Sequence, residues 1–91
     1  YAPKAEVLLI SPIYLGKKVW QEEYDQEFSR ESVTVSRNLQ PVYEKIARDR
    51  QIEFLPAADH VKCCEADQEH LNAEGHKKFA EVVYRKLQKL L

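Results

Sequence analysis

Two short apolar runs, each stopped by a proline, constrain the fold of this chain more than any other feature. The first covers residues 6–11 (Glu-Val-Leu-Leu-Ile-Ser) and ends at Pro12; the second covers 51–56 (Gln-Ile-Glu-Phe-Leu-Pro) and ends at Pro56. Consecutive apolar, branched residues in the first run read as a strand of a parallel sheet, buried on both faces. The second run alternates before turning apolar and reads as a strand as well. Parallel strands cannot be joined by a tight turn, so the segment between them has to cross over, usually as a helix. Residues 29–50 supply one. Val33, Leu39, Val42, Tyr43, Ile46 and Ala47 recur there near helical spacing, with charged residues between them.

Ser29 or Ser32 is the expected N-cap of that helix. Pro41 falls inside it, so the helix either kinks there or restarts with Pro41 in its first turn. Beyond Pro56, residues 57–66 form a loop or a short helical turn. Asn72 is a good N-cap for a last helix whose buried stripe is Phe79, Val83, Leu87 and Leu90. The order is β-α-β-α and the class is α/β, with a right-handed crossover expected.

The connection from Pro12 to Phe28 is long for a plain loop and follows the C-terminal end of a strand, the usual ligand-binding edge of open parallel sheets. It carries Tyr14, Trp20 and Tyr24. Tyr14 and Trp20 are candidates for lining a substrate pocket; capping the core is the competing role.

Composition narrows the function classes. The 91 residues hold 14 basic and 15 acidic side chains, well mixed, for a net charge of −1. That balance offers no surface for nucleic acid and no polybasic membrane anchor. The longest apolar run is far too short to span a bilayer. The chain starts at Tyr1, contains no Met, and leads almost directly into a strand. It therefore reads as a single partial domain over residues 1–91. Two adjacent cysteines do not make a disulfide framework, which favours a reducing, cytoplasmic setting.

The chemistry is concentrated in residues 67–76, Asp-Gln-Glu-His-Leu-Asn-Ala-Glu-Gly-His. Asp67 and His70 can form the base half of a nucleophilic triad, in which the carboxylate orients the imidazole and Nε2 exchanges a proton with a hydroxyl nucleophile. Spacing alone favours a solvated surface turn over a site, because an Asp-x-x-His pair in such a turn is usually just solvated.

The ordered context adds to it. Asp-x-x-His-Leu-Asn-x-Glu-Gly-His, opening the last helix, resembles the closing motif of the SGNH/GDSL hydrolase family. Leu-Leu-Ile-Ser-Pro-Ile resembles that family's penultimate strand. The segment 31–47, including the Pro before an apolar-aromatic pair, resembles the helix that follows, and Ile-Glu-Phe-Leu-Pro-Ala-Ala resembles the last strand and its loop. Gln68 departs from the pattern, since many members have Gly directly after the motif Asp. The resemblance implies the C-terminal half of a flavodoxin-like three-layer α/β/α sandwich, with Asp67 and His70 as catalytic acid and base. It implies hydrolysis of a small carboxylic ester through an acyl-serine, without a cofactor.

The Gly-Asp-Ser segment that would carry the nucleophile is absent, as are the oxyanion-hole Gly and Asn. Ser11, Ser29, Ser32 and Ser36 are candidates by residue type only; none stands in a Gly-x-Ser-x-Gly elbow. The expected partner is therefore the missing N-terminal half of the domain, or a second copy of the chain. The alternative is a noncatalytic or zinc-binding interaction module. His60, Cys63, Cys64, Asp67 and His70, with His76 beyond, name a plausible zinc set, but adjacent cysteines rarely converge on one tetrahedral ion.

Overall fold

The computed structural model describes residues 7–90. Strand β1 runs Leu8–Ser11, helix α1 Arg30–Arg50, strand β2 Glu53–Pro56 and helix α2 Ala73–Leu90, with a 3-10 turn at Ala57–Asp59. The β-α-β-α order matches the expectation. Glu6, placed in the first strand by its sequence, lies outside the described residues.

β1 and β2 pair in parallel, with Leu8 opposite Glu53 and Ser11 opposite Pro56. Both strands therefore end together, each at its proline. Glu53 N–H also donates to Val7 O (3.2 Å), one residue ahead of the strand. Helix α1 packs on both strands. The core is small: Val19, Ala47, Leu55, Ala57 and Val61. Val19 comes from the long 12–28 connection, which thereby acts as part of the core.

The first strand is less buried than its sequence predicts. Ile10 is 36% exposed and Val7 is 51% exposed. A strand whose apolar residues point both ways needs cover on both faces and a neighbour on each edge. Among the described residues β1 has one neighbour, β2.

Helix α1 starts as its sequence predicts. Ser29 is the N-cap, and Ser32 Oγ accepts from Ser29 N–H at 3.0 Å, closing half of a capping box. Pro41 neither ends nor restarts the helix, which runs unbroken past it. Pro41 and Arg37, whose carbonyl would have bonded to residue 41, are both exposed, so solvent can take the orphaned acceptor. Gln51 closes α1 in the left-handed conformation (φ 57°).

Asn72 caps α2, its Oδ1 accepting from Gly75 N–H at 2.8 Å. No residue of α2 is fully buried. Of the stripe expected to be buried, Phe79, Val83 and Leu90 are only half-buried and Leu87 is 40% exposed. Lys86 of α2 turns to the sheet and pairs with Glu53 of β2 at 3.1 Å.

Candidate active site

The segment between β2 and α2 folds back on itself through its own backbone. Cys64 N–H donates to His70 O (2.7 Å), and Gln68 N–H donates to Cys64 O (3.0 Å). The loop this closes, between β2 and α2, carries Asp67.

Asp67 is held by donors on both carboxylate oxygens. Oδ1 accepts from the backbone N–H of Glu69 (2.8 Å) and of His70 (2.9 Å), and Cys64 Sγ lies 3.2 Å from it. Oδ2 faces His70 Nδ1 at 2.7 Å. These bonds favour the charged carboxylate and hold its pKa far below the usual range, the His70 and Glu69 amides contributing most and the imidazole next. The hydrogen bond to Asp67, then its charge, raises the pKa of His70. His70 is 77% exposed at its side chain and Asp67 40% exposed. With Nδ1 directed at the carboxylate, Nε2 is the nitrogen left to meet a reactant.

Glu69 and Asp25 join Asp67 around an open hollow of about 350 Å³. Desolvation and then the neighbouring Asp25 raise the Glu69 pKa.

Gln68, the departure from the family pattern, adopts φ 62°, a left-handed conformation that glycine takes without cost. It is buried, and its side chain is engaged. Oε1 accepts from Lys18 N–H (3.2 Å), Nε2 donates to Glu65 O (3.3 Å), and the backbone O accepts from Gly16 N–H (2.8 Å). A Cβ on Gly16 would stand 2.0 Å from Gln68 Oε1, so the residue there has to be glycine for the two loops to meet. The long 12–28 connection is thus fastened to the acid-imidazole turn by a residue that the sequence marks only as an exception.

Of the two aromatic candidates, Tyr14 reaches a cavity that Gln68 also lines. Trp20 lines neither that cavity nor the hollow beside Asp67. It is half-buried, donates Nε1–H to Lys17 O at 2.9 Å, and lies under the Arg30 guanidinium at 4.6 Å. These contacts brace its own loop.

The proposed zinc set does not assemble. The side chains that do converge are Asp67, Glu69 and His70, with ligand atoms within 4.8 Å of one another. Burial first, then Cys64 and nearby carboxylates, push the Cys63 thiol up, away from the thiolate form that zinc requires.

Ser11 is fully buried, and its Oγ has no hydrogen-bond partner among the described residues. Ser36 is buried too; its Oγ accepts from Leu15 N–H (3.1 Å) and donates to Val33 O (2.7 Å).

The fold and the site together define a stretch of parallel α/β sheet with an aspartate-histidine pair beyond the end of its second strand. Solved structures share the fold. One matches with a TM-score of 0.90 at 29% identity, over 99% of this chain and 40% of its own. A carbohydrate acetylesterase from Sinorhizobium meliloti matches at 0.82 and 24% identity, over 98% of this chain and 40% of its own. A protein from Agrobacterium tumefaciens, provisionally described as an arylesterase, matches at 0.67 and 20% identity, over 92% and 38%. The chain therefore spans about two fifths of the length of each. No protein-family model matches it, and no curated protein does. The fold of these structures agrees with the α/β class and the β-α-β-α order read from the sequence.

Proposed function

We propose that the chain is the C-terminal part of a serine esterase domain and supplies its acid-base pair, Asp67 and His70. The observation that carries this reading is the 2.7 Å contact between Asp67 Oδ2 and His70 Nδ1 on a turn fixed by its own backbone. Asp67 orients the ring and stabilises the imidazolium. His70 Nε2 takes the proton of a serine hydroxyl as the oxygen attacks the ester carbonyl, and returns it to the leaving alkoxide. Water then hydrolyses the acyl-serine by the same route.

The nucleophile and the oxyanion donors belong, in this reading, to the part of the domain that precedes residue 6. The burial of Ser11 and the internal bonds of Ser36 support that assignment. So do the edge of β1 that is unpaired among the described residues and the exposed Val35, Val42 and Ile46 on α1, which offer a surface for the rest of the domain or for a second copy. Acetyl esters of carbohydrates and aryl esters are the first substrates to try, given the two described structural relatives.

The test compares the chain alone with the longest natural polypeptide that carries it. The longer protein is expected to hydrolyse p-nitrophenyl acetate, to react with a fluorophosphonate, and to lose hydrolysis on His70→Ala. The chain alone is expected neither to hydrolyse the ester nor to react with the fluorophosphonate. Hydrolysis by the longer protein that survives His70→Ala would sink the proposal, and His70-dependent hydrolysis by the chain alone would move the nucleophile into it.

A second reading rests on the convergence of Asp67, Glu69 and His70, which could take a zinc ion in place of the direct carboxylate-imidazole bond. Stoichiometric zinc by elemental analysis, abolished by Glu69→Gln, would favour it.

A further inference from the structure

The turn that carries Asp67 separates two hollows of opposite charge. On one side, Glu23, Asp25, Asp67 and Glu69 surround the acidic one. On the other lies an open cavity of about 510 Å³, lined by Glu65 and Gln68 of the same turn and by four cations, Lys17, Lys18, Arg37 and Lys62. Four cations against one carboxylate is a local segregation, because the chain as a whole carries a net charge of −1.

These cations come from three separate stretches: the loop after β1, the second turn of α1, and the segment after β2. None of them takes part in the ion pairs among the described residues, which are Lys45–Asp49, His70–Asp67 and Lys86–Glu53. Lys45 on α1, by contrast, sits beside Asp49. Here they face a shared concavity.

The cavity wall is also fixed in place. Leu15 N–H is bonded to Ser36 Oγ, Gly16 N–H to Gln68 O and Lys18 N–H to Gln68 Oε1. Arg37 lies over the Tyr14 ring at 4.9 Å, which holds the guanidinium plane while leaving its N–H edge to offer. A concave wall with one sign of charge focuses the field and attracts counter-charge, and this volume lies in the range of small-molecule sites.

We propose that this cavity is a binding site for a small molecule carrying two or more negative charges on phosphate or carboxylate groups. Arg37 of α1 and Lys62 of the segment after β2 supply the directional contacts, and Lys17 and Lys18 contribute from the loop after β1. Tyr14, Leu15 and Val61 give the carrier of the charge an apolar surface. The proposal does not depend on the esterase reading, because it concerns binding alone. The anion can be either part of an ester substrate or a separate effector.

Calorimetric titration of inorganic pyrophosphate, and separately of citrate, into the longest natural polypeptide carrying this chain tests it at constant ionic strength. Saturable one-to-one binding is expected. Arg37→Gln should weaken it about tenfold, and Arg37→Gln combined with Lys62→Gln about a hundredfold, as expected for losing charge-assisted hydrogen bonds. Lys45→Gln, which changes a cation outside the cavity, should leave binding unchanged; amide NMR spectra of each variant verify that it is folded. Binding that fails to saturate, or that falls as much in Lys45→Gln as in Arg37→Gln, overturns the proposal. Competition by pyrophosphate against a phosphorylated or carboxylated ester assigns the site to the substrate. A changed rate on neutral p-nitrophenyl acetate without competition assigns it to an effector.

Discussion

Two glutamines in this chain adopt the same left-handed backbone, Gln51 at φ 57° and Gln68 at φ 62°, and they do so for different reasons. Gln51 is exposed and ends α1. Its N–H donates to Arg48 O (3.2 Å), and the next amide, Ile52 N–H, donates to Ala47 O (3.0 Å). The strain there serves only to stop a helix, and glycine would do it better. Gln68 is buried, and both its backbone and its amide are bonded to neighbouring loops. The same conformational cost there joins the 12–28 connection to the turn that holds Asp67 and His70. A strained residue is thus informative about a site only when its side chain is engaged as well.

The largest expected effect comes from the group that the Gln68 turn presents. Asp67→Asn in the longer protein should lower ester hydrolysis by about 10⁴-fold, because the orienting carboxylate is gone. The same variant should bring the His70 titration, followed by imidazole NMR, back down toward the ordinary histidine value. In the unmodified protein His70 is raised, so hydrolysis should increase as pH climbs through that raised pKa and the ring becomes neutral. The linked stability has the opposite sense. The His70 contribution is complete below the unfolded histidine pKa and is lost as pH rises through the folded one. The Asp67 contribution is complete above the unfolded aspartate pKa and is lost only as pH falls toward its depressed folded value. An unshifted His70 in the unmodified protein would remove the physical basis for the pair.

Next in size is the latch. Gln68→Ala keeps the unfavourable backbone but strands Lys18 N–H, so it should cost roughly 1–3 kcal/mol in denaturant unfolding. Gly16→Ala attacks the same contact from the other side and should cost about as much through overpacking. If the latch positions the site, both should also alter the His70 titration. Unchanged titration with reduced stability would reduce Gln68 to a structural fastener.

The smallest effect belongs to the other glutamine. Gln51→Gly should stabilise the chain by about 1 kcal/mol, by relieving left-handed strain at an exposed cap. It should leave His70 untouched. A shift of His70 in this variant would erase the distinction between the two positions.

Much of this molecule is written in short-range spacing. The caps at Ser29 and Asn72 and the aspartate three residues before its histidine all make their contacts within a turn of chain. Neighbours in sequence are enough to specify them, because such bonds close within four residues. Alternation and apolar runs specified the strands in the same way. The degree of burial was not legible, because Ile10 and Leu87 depend on what covers them and no local pattern carries that.

The tertiary structure alone decided the rest. Gly16 and Gln68 stand far apart in sequence and meet only because both loops leave the same ends of two parallel strands. The basic cavity gathers Lys17, Arg37 and Lys62 from three stretches whose individual charge patterns look like ordinary solvated surface. Side chains separated by tens of residues converge only after the crossover has placed α1 across the sheet. Their meeting is a property of the folded geometry, because no single segment carries the distance between them.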